Sequence, residues 1–173
     1  AQVCHDDKCG SETIKTALDS LTANGVRIFN LSLGAFHETA DDARYAAEAW
    51  DRAARNAIAA DSLLVFAAGN SSKATAAMPA GAPQYAPTMK YNVVAVASVD
   101  VDDKGAVSTL SEYSNACGDA SMWCLVAPGT IHFNGAPGAG FGEGMVGTSA
   151  ANGVVTGVAA LVQEAFPWMG GSN

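Results

Sequence analysis

Basic residues are scarce in this chain: nine Lys and Arg stand against seventeen Asp and Glu, leaving a net charge of −8. A nucleic-acid partner needs a positive field to meet phosphate, so that class is excluded. Long apolar runs are lacking too. None reaches the roughly 18 residues of a membrane-spanning helix, and no basic stretch followed by an apolar one opens the chain, so no signal peptide is visible. Internal repeats and low-complexity tracts are absent. What is present is apolar: 49% of the 173 residues are hydrophobic and only 15% charged, which fits one domain with a substantial core.

The four cysteines fall into two local pairs, Cys4 with Cys9 and Cys117 with Cys124. Neither spacing matches the C-x₂₋₄-C knuckles that zinc favours. His5 beside Cys4 is the feature that keeps a metal reading open. Two short-loop disulfides fit better and imply an oxidising compartment outside the cytoplasm. Four reduced thiols are the remaining alternative. No metal site and no cofactor is expected; Asp41-Asp42 and Asp102-Asp103 read as helix-start or turn residues rather than calcium ligands.

Helix-like and strand-like segments alternate along the chain. Ser11 followed by Glu12 reads as an N-cap with an acid in the first turn, and Asn24-Gly25 as the stop. Val26 to Leu33 reads as a strand. Thr39-x-x-Asp42 resembles a capping box and opens an Ala-rich helix to about Ala60, with Tyr45, Ala49, Ala53 and Ala57 at helical spacing. Leu63 to Ala68 and Asn92 to Val99 are continuous apolar runs, the pattern of strands covered on both faces of a parallel sheet. Ser71 to Tyr91 carries Pro79, Pro83 and Pro87 and reads as loop. Gly135 to Gly147 holds six glycines and reads as loop or hairpin. A last helix runs from about Thr148 to Phe166, where Pro167 stops it. Strand–helix–strand order predicts an α/β domain with a parallel sheet and flanking helices.

Gly147-Thr148-Ser149-Ala150-Ala151 places a serine after a glycine-rich turn, at a helix start. The first backbone N–H groups of a helix lack partners and carry partial positive charge, so a nucleophile there sits beside ready-made oxyanion donors. Taken alone, Ser149 is as well explained as an ordinary first-turn serine. Its context argues otherwise. The run from Gly147 to Leu161 resembles the nucleophile signature of the subtilisin family, G-T-S-x-A-x-P-x-V-x-G. Val65-Phe66-Ala67-Ala68-Gly69-Asn70 resembles that family's oxyanion-asparagine strand end, and Asn30-Leu31-Ser32-Leu33-Gly34 its substrate-pairing edge. Asn92 to Asp100 and Ala127-Pro128-Gly129 resemble two further blocks, in family order. Tyr113 to Cys117 and Trp123 to Gly129, with Phe166-Pro167-Trp168-Met169, are similar to the passenger proteases of bacterial autotransporters, which leave the cell through a C-terminal β-barrel.

The resemblance implies roles residue by residue. Ser149 is the attacking serine, and Asn70 the side-chain donor to the oxyanion beside the Ser149 N–H. Ser32, Leu33 and Gly34 pair with substrate backbone, while Ala67, Ala68 and Gly69 form a wall of the pocket for the residue before the scissile bond. The partner is a polypeptide substrate, and the location secreted or cell-surface.

The chain also departs from the family. Gly153 stands where the signature has proline. The family's acid lies in D-x-G and its base in H-G-T, ahead of the asparagine strand. None of His5, His37 and His132 precedes Gly-Thr, and Asp103-Lys104-Gly105 follows the wrong strand and reads as a turn. The parallel sheet is therefore expected to be incomplete, missing the N-terminal part of the domain, and the chain alone is expected to be inactive and prone to self-association through exposed edges. Two alternatives stand beside the protease. One is a non-catalytic binding module that keeps the fold. The other is an α/β-hydrolase, disfavoured because no strand clearly runs into the Ser149 turn and no histidine follows it.

Overall fold

A computed structural model describes residues 4–5, 8–102, 104–132 and 144–173; the side chains of Cys4, His5, Lys8, Cys9, Ser11 and His132 are outside the described set. At the start, β1 (Cys4–His5) and β2 (Lys8–Cys9) pair antiparallel with Cys4 opposite Cys9. The disulfide expected between them is a side-chain statement and lies outside the described residues.

α1 (Ser11–Ala23) begins at the expected serine, but its N-cap is Gly10, one residue earlier, with Glu12 in the first turn. It buries Ile14 and Leu18 and ends at Asn24, followed by Gly25 at φ 84°. β3 (Ile28–Leu31) is shorter than the apolar run suggested, because Ser32, Leu33 and Gly34 leave the sheet to line a cleft. α2 (Ala40–Ala59) is capped as expected: the Thr39 hydroxyl accepts from the Asp42 N–H at 3.1 Å and donates to its carboxylate at 2.6 Å. Its buried residues are Ala43, Ala47, Ala53, Ala54 and Ala57, while Tyr45 is 73% exposed. Its small side chains let α2 pack close to α1.

β4 (Leu63–Ala67) and β5 (Val93–Val101) run parallel to β3, in the order β3-β4-β5. β7 (Cys124–Pro128) pairs the far edge of β5 in parallel from Ala95 to Val99. β6 (Val107–Leu110) pairs β5 antiparallel from Val99 to Val101 on the other edge, beyond the end of β4: the Val96 carbonyl accepts from Ala68 and the Ser98 carbonyl from Ser111. Side chains alternate across the sheet. Leu64, Phe66, Ala95 and Ala97 join a core with α1 and α2, where Trp50 meets Phe66 edge-on at 5.4 Å. Val65, Val96 and Ala127 face the opposite way, onto Ala151 of α3 (Thr148–Ala165). Both faces of β4 and β5 are covered, which explains their unbroken apolar sequence.

Between β7 and α3 runs a small hairpin, β8 (Thr130–His132) with β9 (Gly144–Val146); its connecting residues lie outside the described set. The reading that no strand enters the Ser149 turn is therefore corrected: β9 ends one residue before Gly147. It is one strand of a hairpin, as one of the two readings of Gly135 to Gly147 has it. Cys117 and Cys124 are joined, closing a loop over a 3₁₀ turn at Gly118–Trp123. Asp102 accepts from the N–H groups of Lys104 and Ala106 where the chain passes from β5 to β6; Asp103, the first residue of the D-x-G segment, lies outside the described residues. The segment with three prolines forms two short 3₁₀ turns, Ala82–Gln84 and Pro87–Met89.

After α3 the chain returns under the sheet and is pinned at the α2–β4 turn. Asp61 accepts from the Gly171 N–H at its carbonyl and from the Ser172 N–H at its carboxylate, 2.9 Å away. The Ser172 bond holds the Asp61 carboxyl below its ordinary 3.8; partial burial opposes the shift, while Asn92 and Arg27 add to it. A depressed folded-state value means that this clamp is fully present at neutral pH and is lost as pH falls through that value. Amide exchange of Ser172, corrected for its intrinsic rate, should show protection at pH 6 that disappears in strong acid. Asp61→Ala should lack that protection at both.

Candidate active site

The site lies at the carboxyl ends of the parallel strands, where open α/β sheets gather ligands. β3 delivers Ser32, Leu33 and Gly34 as it leaves the sheet, and β4 delivers Ala67, Gly69 and Asn70. The start of α3 delivers Thr148 and Ser149. These residues line one cavity of about 220 Å³ together with Phe36, Ser71, Ala77 and Asn115. Its walls are small at Ala67, Gly69 and Ala77, so the space is not filled by the protein's own side chains. Ala68 does not join them. Its side chain is fully buried, and its backbone carbonyl instead serves the loop below.

The turn into α3 decides the geometry. Gly147 sits at φ 142°, and a Cβ there would stand 3.2 Å from Asn70 Nδ2. Glycine is the residue that tolerates both the angle and the closeness. The Gly147 N–H donates to Gly129 of the Ala-Pro-Gly turn at 2.9 Å, tying the helix entrance to the end of β7. Thr148, fully buried, then clasps the end of β4. Its N–H and its hydroxyl both reach Asn70 Oδ1 at 2.8 Å, and its hydroxyl oxygen accepts from the Gly69 N–H at 3.2 Å. With Oδ1 occupied twice, the Asn70 amide is fixed in orientation and its Nδ2 remains as donor.

Opposite, the Ser32 hydroxyl has two acceptors within reach of its one hydrogen, Asn30 Oδ1 at 3.2 Å and the Ser149 carbonyl at 3.4 Å. Asn152, three residues along α3 and fully buried, donates to Asn30, Ser32 and the Val65 carbonyl. Gly153, in the next position, has open space around its Cα and leaves α3 unbroken from Thr148 to Ala165.

Among the described residues, the Ser149 hydroxyl has no side-chain partner. His37 precedes α2 as expected and lines a separate cavity with Glu38 and Asp119. His132 is in β8. No group of three or more His, Cys, Asp or Glu is placed to hold a metal among the described residues.

Sequence reasoning gave no role to Thr148, Ala77 or Asn115. Thr148 and Asn115 stood inside quoted family-like segments without a role of their own; Ala77 reaches the site from the proline-rich segment, which read as loop. Thr148→Val keeps the shape and removes both hydroxyl bonds, leaving the Gly69 N–H unpaired. A loss of about 1–3 kcal/mol is expected in denaturant unfolding, with Thr148→Ser close to the parent.

A model described as the Subtilase family matches residues 1–173. The chain is 40% identical over 72 residues to Serotype-specific antigen 1 of Mannheimia haemolytica, covering 42% of this chain and 7% of that protein. It is 30% identical over 122 residues to the Neisserial autotransporter lipoprotein NalP of Neisseria meningitidis serogroup B, covering 64% and 11%. Among solved structures, the prenylagaramide maturation protease PagA superposes with a TM-score of 0.69 at 27% identity, covering 94% of this chain and 53% of that one. The chain thus spans about half the length of that protease and a small part of the two curated relatives.

Proposed function

Because the chain belongs to the subtilase family, we propose that it is the nucleophile-bearing part of a serine endopeptidase, cleaving polypeptides through an acyl-enzyme on Ser149. The observation that carries the reading is the clasp described above: Asn70 is tied by its Oδ1 to Thr148, with its amide donor in the same cavity as Ser149. In this reading Ser149 attacks the scissile carbonyl. The developing oxyanion is met by Asn70 Nδ2 and the Ser149 N–H, both fixed before reaction begins. Substrate backbone pairs along Ser32, Leu33 and Gly34, and the preceding side chain enters the cavity walled by Ala67, Gly69 and Ala77.

A serine hydroxyl without a general base is a weak nucleophile at neutral pH. We assign the base and the acid that orients it to another part of the same domain, which also covers the free edge of β3. Secretion or display at the cell surface is supported by the likeness to an autotransporter lipoprotein and by the Cys117–Cys124 disulfide. Any membrane contact would run through a C-terminal β-barrel. No helix among the described residues is long and apolar enough to cross a membrane.

Two measurements test this. A fluorophosphonate should label Ser149 slowly in this chain and rapidly in the complete domain, with Asn70→Ala lowering the latter rate by about 10²–10³. A folded complete domain that never labels would instead support a binding module. In isolation the chain should self-associate, because β3 is an open edge and Val158, Leu161 and Trp168 are 55%, 65% and 78% exposed. Light scattering should show mass rising with concentration; a monomer throughout would remove that expectation.

A further inference from the structure

Asn115 lies after β6, far in sequence from the nucleophile, and none of its surface is exposed. A fully buried amide needs partners for its oxygen and nitrogen, and this one finds all of them in a single short segment. Its Nδ2 donates to the Ala68 carbonyl at 2.9 Å, and its Oδ1 accepts from the N–H groups of Ser71 and Lys73, both at 3.0 Å. Its own backbone N–H donates to the Gly69 carbonyl at 2.8 Å. Four hydrogen bonds therefore bracket Asn70 on both sides, doing for an irregular loop what a neighbouring strand does for a sheet edge.

Gly69 makes the arrangement possible. Its φ is 107°, and a Cβ there would stand 2.5 Å from Asn115 Nδ2. The amide occupies the space that any other residue would fill.

Asn115 is itself held to the sheet. The neighbouring Ser114 hydroxyl accepts from the Ser98 N–H in β5 at 2.9 Å, and Cys117 is bonded to Cys124 at the start of β7. The Ala116 N–H adds a bond to the Lys73 carbonyl at 2.8 Å. The loop that carries Asn70 is thus fixed from α3 by Thr148 and from the sheet by Asn115.

We infer that Asn115 is a positioning residue for the oxyanion: it sets the backbone of residues 68–73 so that the Asn70 amide donor faces the reacting carbonyl. The inference rests on the peptidase reading above and adds to it a residue that touches no reacting atom. Misplacing a catalytic donor by about 1 Å can lower a rate on the order of 10²-fold, so an anchor of this kind acts on turnover through Asn70.

The test uses the complete domain, with a chromogenic peptide at a temperature well below unfolding. Asn115→Ala should lower kcat by about 10- to 100-fold while KM moves by less than about threefold. Adding it to Asn70→Ala should cost little more than Asn70→Ala alone, because both act through one donor. In parallel, the Ser71 and Lys73 amides of Asn115→Ala should exchange faster while those of β4 and β5 keep their protection. Should Asn115→Ala fail to fold, Asn115→Ser, which fills part of the same space with an uncharged polar group, should show the same pattern at smaller size. Independent, multiplicative losses in the double variant, or a change in KM alone, would overturn the inference while leaving the peptidase intact. A complete domain in which Asn70→Ala and Ser149→Ala leave turnover unchanged would overturn the peptidase reading, and this inference with it.

Discussion

Two hydrogen bonds of 2.8 Å from Thr148 to Asn70 Oδ1 join the entrance of α3 to the exit of β4. The rest of the site depends on that join. A helix start and a parallel-strand end each carry backbone groups without regular partners, and here they meet across a buried threonine. The helix start is thereby fixed against the sheet without a side-chain N-cap of its own, since Gly147 offers none. The same contact aligns the one amide with a free donor beside the one serine at the helix start. Rigid elements on both sides make this a preorganised arrangement, the condition under which a hydrogen bond is most effective at a reacting centre.

The sheet explains why the contact can be so close. Alternation along β4 and β5 sends Leu64, Phe66, Ala95 and Ala97 toward α1 and α2, and Val65 and Val96 toward α3. Small residues recur wherever elements approach: the alanine stripe of α2, Ala151 of α3 and Ala127 of β7. Coverage is uneven, however. α1 and α2 together blanket one face, whereas α3 is the one long helix on the other. Its outer side leaves Val158 and Leu161 in solvent, and among the described residues no strand pairs the outer edge of β3. That geometry matches a chain spanning 53% of the length of a solved family member.

Much of this was legible in the residues. Thr39-x-x-Asp42 announced a capped helix, and Asn24-Gly25 announced a stop, because both are local chemistry within four residues. The apolar runs at Leu63 and Asn92 announced covered strands for the same reason. Less local features were misjudged. Helical spacing marked Tyr45, Ala49, Ala53 and Ala57 but does not say which face is covered; Ala53 and Ala57 are buried, Ala43 and Ala47 join them, and Tyr45 faces solvent. Ala68, grouped with the cavity wall, is turned into the core by the period-two alternation that sends Ala67 the other way.

The sequence by itself determined the family blocks and their order, the elements with strong local signals, and the identities of Ser149 and Asn70 as the groups to watch. Only the tertiary structure decided how those groups are held. The Asn70 amide acquires a direction from Thr148, 78 positions away, and its loop a shape from Asn115, more than 40 positions away. Hydrogen bonds between such distant residues leave no periodicity and no motif in the chain. They exist only once the sheet and α3 have packed, because burial is what makes an unpaired amide costly enough to demand one particular set of partners.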